Sequence, residues 1–247
     1  LSETPLSETE DTKVCAPVAT GPVTEEGRGI LFVVSSPSGG GKGTLIRRML
    51  NQVTNLSYSV SFTTRTPRNG EVDGREYFFV SRERFEQMVA AGEFLEWAYV
   101  HGKLYGTSRN QVLREISEGR DIVLEVDVQG AASIRTLVPD SVSVFILPPS
   151  FEVLRQRLLD RGTDSPEELD LRLRNAPTEL KDYSAFQYLI INDDVDRAAD
   201  QLSAIAHAER ARLHRQGPRV KHVVEAFTAK ELQNSIDPTN PVEEHNQ

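Results

Sequence analysis

The sequence predicts an α/β fold, a parallel sheet flanked by helices, on three observations. From Arg28 onward, short apolar runs alternate with segments of helical period. The runs "ILFVV" (30–34), "IVLEV" (122–126), "VSVFIL" (142–147) and "YLII" (188–191) have the length and β-branched content of buried strands. The first of them leads straight into the glycine-rich stretch "SSPSGGGKGT" (35–44).

Taken in order, a helix is expected from Gly43 to about Asn51. Between Ser57 and Tyr105 the texture changes to short alternating strands, "YSVSF", "EYFFV" and "FLEWAYV", with glycine turns such as "RNGEVDG" and a helix from Arg82 to Ala91. That stretch reads as a smaller lobe, about 57–108, inserted into the parallel core. Helices follow at 109–118, 129–137 and 151–160, then two across 166–183 and a long one across about 195–215. "GPRVKHVVEAF" predicts a terminal helix, and "DPTNPVEEHNQ" a disordered end. Residues 1–28 read as a disordered acidic tail, with 29–216 as the folded domain and 217–247 as a C-terminal extension.

At 247 residues the chain can bury a substantial core without disulfides or metals, and its only cysteine, Cys15, has no intramolecular partner. No apolar run approaches the roughly 20 residues of a membrane span, and the N-terminus has no basic start followed by an apolar core. The expectation is a soluble, cytoplasmic protein with no membrane partner. The net charge is −9, of which the first 26 residues carry −5, so wholesale nucleic-acid binding is not expected. The sequence does not fix an oligomeric state.

The stretch from Ser36 to Thr44 has the context of a phosphate-binding loop, a buried strand before and a helix after. Glycines 39, 40 and 41 let backbone N–H groups wrap a phosphate, and Lys42 supplies positive charge. Two letters depart from the common pattern: Ser36 stands for the first glycine, and Gly43 for the hydroxyl residue that holds Mg²⁺. Further on, Thr66 precedes a proline and is pushed toward extended backbone, so Arg65 and Arg68 project from irregular chain and suit the oxygens of a second phosphate.

Glu96 interrupts an apolar strand, where an unpaired carboxylate is costly to bury. Guanine offers N1–H and N2–H₂ as adjacent donors to one carboxylate, and Thr107 could supply a hydroxyl to O6; by itself, Glu96 would more often be a residue at a strand rim. Glu125 and Asp127 sit two apart, hence on one strand face at its carboxyl end, where open α/β sheets bind ligands. They could hold waters around Mg²⁺ or accept from a nucleotide amino group; a helix N-cap is the competing reading of Asp127. Arg157, Arg161, Arg172 and Arg174 surround a turn between two helices, about 155–175, that could close over phosphates or simply form a solvated face.

Together "TTRTPRNGEVDGREYFFV", "FLEWA", "YGTS", "FILPPS", "RGTDS" and "INDD" resemble the guanylate kinase family, of the bacterial kind, from about Gly29 to Gln216. The resemblance implies a P-loop NTPase-type parallel sheet flanked by helices, with an inserted mixed α/β GMP-binding lobe and a helical lid. It implies reversible phosphoryl transfer from ATP to GMP with Mg²⁺, in purine nucleotide metabolism and GTP supply. By matching motif positions, Ser61, Glu96, Thr107 and Asp127 would contact guanine, and Arg65, Arg68, Tyr77 and Tyr105 the GMP phosphate. Ser36, Pro37, Ser38, Gly39, Gly40, Gly41, Lys42, Gly43 and Thr44 would hold ATP. Lys42, Arg68, Arg157, Arg161 and Arg172 would serve the transferring group. Asn192 would lie near the adenine, or equally be a loop or cap residue. Glu125, where many relatives carry Asp, would reach the metal through water.

Two rival readings remain. One is a catalytically silent guanylate-kinase-like module that binds a protein; such modules have degraded phosphate loops and attached interaction domains, whereas Lys42, the glycines, Arg65 and Arg68 are all present here. The other is a kinase for AMP or UMP, against which Glu96, Ser61 and Thr107 favour guanine.

Overall fold

A computed structural model describes residues 28–100, 102–162 and 166–236, without the side chains of Arg161 and a few residues of the later helices; all that follows concerns those residues. The two expected disordered ends, 1–27 and 237–247, and residues 163–165 of the expected lid lie outside them.

The larger sheet is parallel throughout. Its five strands, β1 (Leu31–Ser35), β2 (Leu56–Tyr58), β7 (Asp121–Glu125), β8 (Val142–Leu147) and β9 (Tyr188–Ile191), run in the order β2-β7-β1-β8-β9. The apolar runs are uninterrupted because both faces are covered. Phe32 and Val34 point toward Leu45, Ile46 and Met49 of α1 (Lys42–Gln52) and Ala198, Leu202 and Ala206 of α7 (Val195–Arg210). Leu31 and Val33 point the other way, toward Val112 and Ile116 of α3 (Arg109–Ser117) and Ala131 and Ile134 of α4 (Val128–Leu137).

The smaller sheet has its own core. β4 (Phe78–Phe79), β3 (Phe62–Thr63), β6 (Lys103–Ser108) and β5 (Phe94–Val100) lie side by side in that order, with β6 antiparallel to both neighbours. Phe85 and Met88 of α2 (Arg82–Ala90) pack on Phe94, Trp97 and Leu104, and the Phe85 and Phe94 rings stack at 4.5 Å. Gly106 makes this contact possible, since a Cβ there would come within 2.8 Å of the Phe94 ring.

Three expectations change. The run "YSVSF" is not one strand of the small lobe: Leu56–Tyr58 forms the edge of the large sheet beside β7, and the smaller sheet starts at Phe62. The segment 166–183 is one helix, α6 (Pro166–Leu180), followed by a 3-10 turn. Pro177 sits three residues from its end and removes only one late intrahelical bond, while Leu169, Leu173 and Ala176 bury against Leu154 and Leu158 of α5 (Phe151–Arg161). Lastly, the long helix stops at Arg210, and after a 3-10 turn α8 (Gly217–Ile236) begins.

Candidate active site

The phosphate loop leaves the carboxyl end of β1 and turns into α1. Gly39 (φ 85°) and Gly41 (φ 97°) hold left-handed backbone that only glycine adopts cheaply. α2, α3, α4, α5 and α7 are each capped by a side chain, Ser81, Ser108, Asp127, Ser150 and Asp194 respectively. The α1 cap is Gly41, which offers no side chain, and no acidic residue lies in the first turn. The start of α1 thus carries no side-chain cap of its own.

The loop is braced from behind. Ser36 is buried, its Oγ donates to the Pro37 carbonyl at 2.8 Å, and a Cβ on Gly40 would come within 2.6 Å of that hydroxyl. The serine in the first glycine's place is thus accommodated by a glycine four residues on. Asn192, only 2% exposed, donates through Nδ2 to the Gly40 carbonyl at 2.9 Å, and any Cβ on Gly41 would collide with it. Asn192, placed from sequence near the adenine or in a loop or cap, here braces the phosphate loop from behind. Arg157 Nη2 donates to the Asn192 carbonyl at 2.9 Å, while its Nη1 is buried without a partner.

Positive charge gathers at the same place. Lys42 Nζ donates to the Ser36 carbonyl at 3.3 Å, and Arg172 Nη1 to Ser38 Oγ at 2.7 Å. The Ser38 backbone N–H donates to Oε2 of Glu179 at 3.1 Å, a contact from α6 not anticipated from the sequence. The Arg161 side chain lies outside the described residues.

A second cationic cluster lies beside the smaller sheet. Arg65 holds Glu71 through two contacts of 2.9 Å, and Glu71 Oε2 also accepts from the Arg68 N–H at 2.7 Å. Against the opposing effect of burial, these bonds hold the Glu71 carboxyl below its usual range. The Arg65 guanidinium lies 5.2 Å from the centre of the Tyr77 ring, and Tyr77 meets Tyr105 edge to face at 5.9 Å. Arg65, Arg68, Tyr77 and Tyr105 are brought together as expected from sequence, with Glu71 pairing the first two.

The third site is a pocket of buried polar groups. Glu96 and Thr107 pair across β5 and β6, and Thr107 Oγ1 donates to Glu96 Oε1 at 2.5 Å. Glu96 is 4% exposed, far from the rim reading. Burial pushes its carboxyl up to about 7; the Thr107 hydroxyl opposes that shift and the nearby Asp127 adds to it. Asp127 caps α4, accepting from the Gly130 N–H at 2.9 Å, and is itself raised chiefly by burial. Gly130 leaves the space above Glu96 open, since a Cβ there would stand 2.9 Å from Glu96 Oε2. Ser61 is half-buried, and its carbonyl accepts from the Phe78 N–H.

Glu125 and Asp127 do not share a strand face. β7 ends at Glu125, so the two-residue alternation stops there: Asp127 turns to Gly130 and Glu96, while Glu125 turns to the phosphate loop. Glu125 Oε2 accepts from Tyr58 OH at 3.4 Å and would lie 3.3 Å from a Cβ on Gly43. Burial first, and Glu125 second, keep the Tyr58 hydroxyl protonated well above its ordinary range. Among the described residues no three acidic, histidine or cysteine side chains cluster as a metal site.

A glycine-rich loop running from a parallel strand into a helix, on a parallel sheet flanked by helices, marks the class: a P-loop NTPase fold, here with buried polar groups on an inserted lobe. Within it, the sequence profile of guanylate kinase matches residues 28–209. Guanylate kinases of Symbiobacterium thermophilum and Dechloromonas aromatica are 50% and 51% identical over 77% and 73% of this chain, covering 90% and 89% of their own. The crystal structure of guanylate kinase from Anaplasma phagocytophilum is 35% identical, with a TM-score of 0.66, over 78% of this chain and 93% of that one. The chain belongs to the guanylate kinase family.

Proposed function

We propose that the chain is an ATP:GMP phosphotransferase, moving the γ-phosphoryl group of ATP to GMP reversibly to give ADP and GDP, and that Glu96 and Thr107 select the guanine. The observation that carries the base assignment is the buried Glu96 carboxylate, bonded on one oxygen by Thr107 and open above Gly130 on the other. Ionised, it accepts from N1–H and N2–H₂ of guanine. Adenine presents an acceptor at N1 and no 2-amino group, leaving the carboxylate buried and unpaired, and such pockets discriminate strongly. Asp127 and Ser61 complete the base site.

Arg65, Arg68, Tyr77 and Tyr105 bind the GMP phosphate, which must take Glu71's place on the Arg65 fork. The loop from Ser36 to Thr44 holds the ATP phosphates through its N–H groups and the open start of α1. Lys42, Arg157, Arg161 and Arg172 neutralise charge that builds on the moving phosphoryl group, so that catalysis is positioning plus electrostatics.

Mg²⁺ fits this chain as an ion held mainly by phosphates and water. Glu125, at the Gly43 side of the loop, would reach it through water, and Thr44 lies one residue on. When bound, the ion draws charge from the phosphate oxygens. No described helix is long and apolar enough to cross a membrane, and the reading is of a cytoplasmic enzyme acting on nucleotides rather than on nucleic acid. The intact lysine loop and arginine cluster argue against a silent protein-binding module.

A coupled assay with ATP, Mg²⁺ and each of GMP, AMP, UMP and CMP tests this. Turnover is expected with GMP and at least a hundredfold lower kcat/KM with AMP; absence of turnover with GMP would sink the proposal.

A further inference from the structure

One face of α6 lies on the phosphate loop. Arg172, Ala176 and Glu179 recur at helical spacing, so they share that face. Arg172 donates to Ser38 Oγ at 2.7 Å, Ala176 is fully buried beside Leu154 and Leu158, and Glu179 accepts from the Ser38 N–H at 3.1 Å. Glycine-rich loops of this shape use backbone N–H groups to hold anions. Here a carboxylate of the protein's own chain, 141 residues away in sequence, already holds one of them.

We infer that Glu179 is a built-in stand-in for a nucleotide phosphate: it occupies the Ser38 amide that a phosphate oxygen would take, and ATP must displace it to bind. This rests on the reading of residues 36–44 as the polyphosphate site. The exchange is chemically matched, since a carboxylate and a phosphate oxygen are both anionic acceptors for the same N–H. The two anions also repel, so the loop does not hold both at that amide. Displacing Glu179 removes one of the two polar ties between Ser38 and α6, leaving the Arg172 bond to turn from the serine hydroxyl to the incoming phosphate. The arrangement thereby couples filling of the loop to movement of the helix that carries Arg172.

The test is the affinity of full-length protein for ADP without divalent metal, measured by calorimetry for wild type, Glu179→Gln and Glu179→Ala. A placeholder competes with the ligand, so removing it tightens binding: about threefold to tenfold is expected for Glu179→Ala, and a smaller gain for Glu179→Gln, whose neutral amide oxygen still accepts from Ser38. Thermal midpoints without ligand should fall in both variants, more in Glu179→Ala, since the tie to α6 is weakened or lost. A merely structural residue would give the lower midpoint with unchanged or weaker ADP binding, which overturns the inference. Weaker binding in both variants would mean that Glu179 assists the nucleotide, and overturns it equally. If wild type itself bound no ADP, the loop assignment would fall together with the inference. Tight wild-type binding with unmoved variants would sink the inference alone.

Discussion

The phosphate loop and the base pocket solve opposite problems. The loop is mostly backbone, glycines and an uncapped helix start, braced by the Asn192 side chain and with Glu179 at the Ser38 amide. The base pocket is made of side chains fixed across two strands, and its key group is a buried carboxylate with no cation against it. In the loop the incoming phosphate would replace a carboxylate at one amide, that of Ser38. On the proposed base assignment, the pocket carries the desolvation of Glu96 in advance, and that cost disfavours a base that leaves the open oxygen of Glu96 unpaired. The two regions should therefore respond differently when charge is removed.

The largest effect belongs to the loop's one lysine. Lys42→Ala leaves the glycine backbone and the Glu96–Thr107 pair in place but removes the cation proposed to lie beside the transferring group. A fall in kcat of about a thousandfold is expected, roughly 4 kcal/mol, with GMP affinity changed by less than about threefold. Steady-state kinetics and a separate GMP titration check both halves. If GMP binding fell in proportion, the loop and the pocket would not be separate sites.

The pocket's own variant is Glu96→Gln. The amide has one acceptor oxygen and a donor that faces the guanine donors, so KM for GMP should rise about a hundredfold and the preference over AMP should largely vanish. An unchanged preference would refute the base assignment. The pH dependence sharpens this. Burial raises the Glu96 carboxyl to about 7, so the group is protonated below that and ionised above it, and guanine needs the ionised form. Guanosine, which has no phosphate to titrate, should bind about tenfold more weakly at pH 6 than at pH 8 in wild type, and with no such slope in Glu96→Gln. Folding has the corresponding sign: a carboxyl with a raised folded value binds more protons folded than unfolded. Its contribution to stability is therefore greatest at low pH and is lost as pH rises from about 4.5 to about 7. Relative to wild type, Glu96→Gln should gain thermal stability across that window.

How much of this was legible beforehand follows the same divide. The four core strands and the loop announce themselves through local pattern, a β-branched run followed by glycines. The edge strand β2 did not, because Leu56–Tyr58 is only half-buried and shares its texture with the lobe that follows. The single helix α6, where two were expected, is not legible locally, because the burial of Leu169, Leu173 and Ala176 that carries it through Pro177 is tertiary. Glu96 was visible as an anomaly, a carboxylate in an apolar strand. Glu179 was not, since an acid on a charged helix looks like a solvated face until the fold brings Ser38 against it. Gly130 does carry a local signal, a glycine three residues after an N-cap aspartate, where helix formers would otherwise be preferred.

The smallest expected effect concerns the loop's departure from pattern at Gly43. Its usual replacement is a hydroxyl residue that touches Mg²⁺, but here a Cβ at this position would stand 3.3 Å from Glu125 Oε2 and 3.7 Å from Arg47 Nη1. The side of the loop where that hydroxyl would sit is thus already taken by a carboxylate on a longer arm, held by Tyr58. A serine introduced at 43 would find Glu125 as its nearest acceptor and donate to it, so the new hydroxyl would be spent inside the protein. Gly43→Ser should consequently change kcat with Mg²⁺ by no more than about threefold, and leave metal-free ADP affinity close to wild type, because the N–H groups and Lys42 are untouched. A large gain in kcat would mean that Glu125 does not substitute for the missing hydroxyl and that the native loop works below its capacity. A large loss, relieved by pairing the change with Glu125→Asp, would instead locate the fault in crowding between the two side chains.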